Sequence, residues 1–174
     1  MRRRTTLIAA AAAALLTLAP MAGSAQAAKH ESAATRVQEG HYLIVSDNPE
    51  VGKLDFAPFT IPVFPPIYFV VGSHIKNLNE QWTVRPAGDG NFTINSTTHP
   101  DAAWSRRGES IVASEGDWSK FSIEPAGGGT YRIHVPHQDE VATLNSSGSE
   151  QLHVEPANGS SSQRWRFVRV DGDE

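Results

Sequence analysis

The chain has 174 residues, with 15 basic and 19 acidic side chains and no cysteine. The missing cysteines exclude disulfides, thiolate nucleophiles and zinc–thiolate centres, and the acidic balance argues against nucleic acid or an anionic membrane as partner. The length suits a single domain following a short leader.

Arg2, Arg3 and Arg4 precede an apolar run from Leu7 to Leu18, and Ala25-Gln26-Ala27 supplies a small-x-small cleavage site. This layout predicts a secretory signal peptide of bacterial type over 1–27, with an apolar core too short for a membrane span. A flexible leader over 28–40 and a tail at 171–174 are expected to flank the folded part. Without the signal the chain holds 12 basic against 19 acidic residues, a net charge of about −7.

From His41 onward, short alternating segments separated by turn formers predict twelve strands. In order they are HYLIVS, PFTIPV, IYFVVG, QWTVRP, NFTINS, AAWSRR, ESIVAS, DWSKFSIEP, TYRIHVP, EVATLNS, QLHVEP and QRWRFVRV. Turn pairs such as Asp47-Asn48, Asp89-Gly90, Arg107-Gly108, Gly116-Asp117 and Asn158-Gly159 punctuate them. Ser46 to Pro58 is expected to be the longest connection, and no segment carries sustained helical periodicity.

The strands repeat. Gln81 to Ile94 reads QWTVRPAGDGNFTI and Lys120 to Ile133 reads KFSIEPAGGGTYRI. In both, an aromatic and an aliphatic alternate with polar residues, glycines turn the chain, and a second alternating pair follows. A third copy begins at Gln163 with QRWRFVRV, and its missing second half is HYLIVS at the other end of the fold. A threefold repeat split between the two ends describes a closed ring, not an open stack. Twelve strands in three groups of four therefore predict an all-β β-trefoil over 41–170, six strands forming a barrel and three hairpins its cap. A sandwich would leave the repeat unexplained.

Catalytic motifs are missing: there is no nucleophile elbow, no HExxH and no phosphate-binding glycine loop before a helix, so no enzyme, cofactor or metal is expected. His134 and His137 stand three apart, but Pro136 intervenes and no further ligand is identifiable. Carbohydrate binding is the alternative function. Ricin-type lectin repeats carry Gln-x-Trp, which Gln163-Arg164-Trp165 matches, whereas the other two copies do not. Trp82 and Trp165 are expected in the core; Trp104 and Trp118 are left open. Adjacent Arg106 and Arg107 before Gly108 form the sharpest surface feature. A trypsin-like protease accepts one extended basic side chain, and a rigid loop presents it with the ordering cost already met. Lys53, in the long connection, is a second candidate, and Leu54 and Phe64 would suit subtilisin- or chymotrypsin-like pockets.

With those residues in hand, the chain resembles the cospin-like group of β-trefoil serine-protease inhibitors known from mushrooms. The resemblance runs through Gly40, Tyr42 and Gly52-Lys53, the proline-rich PFTIPVFPP, the Trp strand with its glycine turn, and KFSIEPAGGGTYRI. It implies a monomeric inhibitor that blocks an extracellular protease, trypsin-like or subtilisin-like, through a surface loop. Related trefoils that inhibit asparagine-specific proteases bring in Asn95, in the NSTTHPD loop.

Overall fold

The structure, a computed structural model, describes residues 36–61, 66–74, 81–146 and 150–170. The expected signal peptide, most of the leader, Phe64 and the tail lie outside the described residues. Twelve strands run in chain order: β1 (Gly40–Ser46), β2 (Lys53–Ile61), β3 (Ile67–Ser73), β4 (Gln81–Pro86), β5 (Asn91–Ser96) and β6 (Ala102–Arg107). Then follow β7 (Ser110–Glu115), β8 (Phe121–Gly127), β9 (Thr130–His134), β10 (Glu140–Thr143), β11 (His153–Pro156) and β12 (Trp165–Arg169). A 3-10 turn at Ser161–Gln163 precedes β12.

Six strands close on themselves. β1 pairs with β4, β4 with β5, β5 with β8, β8 with β9, β9 with β12, and β12 with β1, every pair antiparallel. The last pairing joins the two ends of the fold over five positions, from Tyr42↔Arg169 to Ser46↔Trp165. It is the hairpin whose halves the sequence splits between its ends. The remaining strands form the hairpins β2–β3, β6–β7 and β10–β11, which meet through β3–β7 and β7–β11 contacts to cap the barrel. This is a β-trefoil, with units β1–β4, β5–β8 and β9–β12. Closure leaves the barrel without a free edge.

Alternation explains the core. Each barrel strand sends one side chain into an inner ring: Ile44, Trp82, Ile94, Phe121, Ile133 and Trp165, all fully buried. The residues two positions away form a second ring of Tyr42, Val84, Phe92, Ile123, Tyr131 and Phe167. Edge-to-face contacts of Phe167 with Tyr42 at 5.7 Å and with Tyr131 at 5.6 Å knit that ring together. Val37 packs into the same cluster, so the packed chain starts ahead of the expected boundary at His41.

Two strand starts differ from expectation by four residues or more. β2 begins at Lys53, not Pro58, because Leu54 and Phe56 alternate into the core. Its register with β3 slips between Phe56 and Thr60, a span containing Pro58, which has no N–H for the ladder. The connection after β1 therefore shrinks to 47–52. β8 begins at Phe121, not Asp117, because Ser119 turns its backbone and hydroxyl to β6: its N–H donates to Trp104 O and its Oγ accepts from Arg106 N–H.

Candidate functional site

The two arginines of β6 leave the strand on opposite sides, as strand geometry requires, and meet different fates. Arg106 is fully engaged. Its Nη2 lies 2.7 Å from Glu140 Oε2, its Nε donates to Gly108 O at 2.8 Å, and its Nη1 donates to Gln138 Oε1. It ties the β6–β7 hairpin to the β9–β10 connection. A guanidinium so held cannot also extend into a protease pocket, and Arg106 is withdrawn as a bait residue. Among the described residues Arg107 has one partner, Asp117, at 3.4 Å, with the two side chains 41% and 65% exposed. Exposed pairs of that kind hold a side chain only weakly.

The hairpin beneath Arg107 is rigid. Six residue pairs run from Ala102↔Glu115 to Arg107↔Ser110, leaving Gly108 and Glu109 as a two-residue turn. Gly108 has φ +63°, which such turns demand and which glycine adopts without steric cost. Beyond the turn, Ile111 N–H donates to Leu152 O at 2.8 Å, and Val154 N–H donates to Glu109 O at 2.7 Å. The tip is thus clamped to the third unit.

Lys53 opens β2, opposite both Val45 and Ser73, and is half-buried. Before it, Gly52 has φ +74°, and a methyl group there would meet Ser73 O at 2.5 Å. Lys53 thus sits at a crowded strand junction and not on the crest of a long loop. Leu54 is completely buried and belongs to the core; it cannot enter a partner's pocket. Asn95 lies within β5, 2% exposed, with Nδ2 donating to Pro100 O at 3.4 Å, so it is a strand residue and not a loop tip.

The Gln-x-Trp match is structural in this chain. Gln163 is fully buried, accepting from Asn158 N–H at 2.7 Å and donating to Thr143 Oγ1 and Pro156 O at 3.2 and 3.0 Å. Trp165 Nε1 donates to Ala142 O at 3.0 Å, and Trp82 Nε1 to Leu54 O at 3.1 Å. Trp104 is fully buried too, between Trp82 and Phe121. Trp118, in contrast, is 55% exposed, the most exposed large hydrophobic side chain among the described residues. The preceding Gly116-Asp117 turn is the sequence signal that this indole leaves the strand.

Among the described residues three titratable groups are shifted, all in the third unit or at the closure. Hydrogen bonds from Arg166, then Arg164, hold the Asp47 carboxyl below the usual range, against some opposition from burial. Burial pushes Glu150 up, but bonds from Ser146 and Asn145 outweigh it and leave the group below its ordinary value. Burial likewise opposes protonation of His153, yet Glu155, 2.9 Å from Nε2, raises it overall. Among the described residues no group of three His, Cys, Asp or Glu side chains is arranged to hold a metal ion. Nor is any described helix long and apolar enough to cross a membrane.

No protein-family model matches the chain, and no curated protein matches its sequence. Solved structures share its fold. A proteinase inhibitor from Coprinopsis cinerea is similar at TM-score 0.64 and 11% identity, over 77% of this chain and 99% of that one. A ricin B-like lectin from Macrolepiota procera, in complex with lactose, gives TM-score 0.61 and 18% identity, over 78% and 100%. The designed threefold-symmetric protein ThreeFoil gives TM-score 0.60 and 18% identity, over 75% and 99%. An inhibitor, a lectin and a designed symmetric protein share one scaffold at these identities, so the likeness establishes the β-trefoil and leaves function to the loops.

Proposed function

We propose that this protein is a secreted, reversible inhibitor of extracellular serine proteases that presents Arg107 to a trypsin-like pocket. The supporting observation is the exposed Arg107 at the end of a two-residue hairpin clamped to its neighbour on the barrel cap. Rigidity matters because a preformed loop binds without a large ordering cost. The bond after Arg107 leads directly into the left-handed Gly108 and back into the β7 ladder. That geometry departs from the extended chain a protease cleaves, which favours blocking over turnover.

The test is residual activity of trypsin, chymotrypsin, subtilisin and papain against increasing purified protein. Stoichiometric loss of trypsin activity is expected, weakened tenfold or more by Arg107→Ala while Lys53→Ala and the melting temperature stay near wild type. Inhibition by Arg107→Ala equal to wild type would remove this hairpin as the bait. Full activity of all four enzymes would remove the inhibitor reading. A second reading, carbohydrate binding, is favoured by the exposed indole of Trp118, since aromatic faces stack on the apolar faces of sugar rings. Retention on a sugar matrix, released by free sugar, tests it.

A further inference from the structure

The β4–β5 turn, the residues leading into β8 and the β9–β10 connection enclose an open pocket of about 520 Å³, larger than the two other described pockets of about 190 and 270 Å³. Its walls carry two kinds of polar group. Arg106 and Gln138 are locked to each other and to Glu140, making a fixed wall. Lys120, His137, Asp89 and Asn91 also line it, and among the described residues their side chains make no hydrogen bond or ion pair. His137 reaches its place through a left-handed backbone, φ +64°, and Asp89 does so at φ +54°. These are the two described non-glycine residues with positive φ, a conformation that costs energy and concentrates at ligand sites. Val135 and Pro136 add a short apolar strip.

From this arrangement we propose that the pocket binds an acidic sugar, a pyranose ring bearing a carboxylate. Lys120, an exposed ammonium without a counter-ion among the described residues, supplies the charge for the carboxylate. Asp89 accepts from ring hydroxyls, and Asn91 both donates and accepts. The strip of Val135 and Pro136 meets the C–H face of the ring. A simple inorganic anion would leave Asp89 opposed by like charge and the apolar strip uncovered. A neutral sugar would leave Lys120 unanswered. The inference shares the carbohydrate class of the second reading but places it in a pocket that Trp118 does not line, and it depends neither on that indole nor on protease inhibition.

The experiment is titration of the full-length protein with sodium glucuronate, glucose and sodium acetate, followed by amide and side-chain NMR shifts and by calorimetry. Glucuronate is expected to move resonances of Lys120, His137 and Asn91, and to bind at least tenfold more tightly than glucose or acetate. Lys120→Met should weaken glucuronate at least tenfold and bring it near the affinity for glucose. Because Lys120 is exposed, its melting temperature should match wild type, so lost binding cannot be ascribed to unfolding. Acetate binding as tightly as glucuronate would overturn the proposal by revealing a plain anion site. Glucose binding as tightly at these residues would overturn the acidic class while leaving the carbohydrate reading intact. If no sugar moves these resonances, the site falls; retention on a neutral-sugar matrix then decides whether the broader reading falls with it.

Discussion

The third unit and the second unit occupy equivalent places in the ring but are locked differently. Where β12 carries Trp165, an indole N–H reaches Ala142 O in the cap hairpin, and Gln163 ties three further groups together beside it. The first unit uses the same device, from Trp82 to Leu54 O. The second unit has Phe121 at that position, with no N–H to give. Trp104 fills the neighbouring space from β6, its ring centre 5.8 Å from that of Phe121, and its own indole N–H is buried without a partner among the described residues. The exposed Trp118, the Arg107 hairpin and the polar pocket all border this less tightly braced unit.

Stability measurements can break that comparison. Trp165→Ala should cost about 3–5 kcal/mol in urea unfolding, from lost burial and the remaining cavity. Trp165→Phe should cost about 1–3 kcal/mol, since Ala142 O loses its buried donor. The reciprocal change, Phe121→Trp, should also destabilise, by about 1–3 kcal/mol, because Trp104 already holds the volume and a larger ring overpacks it. A stabilised Phe121→Trp would mean that the second unit has room for the missing brace, and the contrast would collapse.

Smaller effects sharpen it. Arg106→Ala should lower stability by about 1–2 kcal/mol, allowing for its partial exposure, because Gln138 and Glu140 lose their shared partner. Arg107→Ala should change it by less than about 0.5 kcal/mol while weakening the proposed inhibition tenfold or more. Equal stability losses at the two positions would contradict the division of labour between adjacent arginines.

The pH dependence is expected to originate in the third unit and the closure. Asp47 and Glu150 have folded values below their ordinary 3.8 and 4.5, so their contribution is present above those values and lost as the pH falls through the folded ones. His153 is raised above 6.5, so its contribution is full below that and disappears as the pH rises through its folded value. The melting temperature should therefore decline on both sides. His153→Gln should flatten the basic limb and, through the lost attraction to Glu150, change the acid limb to a smaller extent; an unchanged basic limb would exclude the His153–Glu155 pair as its source.

Much of the scaffold was legible in the chain. Alternating aromatics with glycine turns set the strands, and the half-copies at the two ends of the fold required a ring, because a repeat unable to bury its own face must find its missing partner. Trp82 and Trp165 read as core for the same reason. The surface was less legible. Nothing local distinguishes Arg106 from Arg107; only the arrival of Gln138 and Glu140, more than thirty positions later, ties one down and leaves the other exposed. Leu54 and Asn95 looked like loop residues until strand pairing with distant segments buried them. The pocket beside Lys120 and His137 likewise exists only because three separate turns converge. Sequence periodicity alone specified which face of each strand is apolar, since that depends on neighbours two residues away. Which polar side chains remain free was decided by the tertiary structure, since a long-range partner leaves no mark in the local pattern.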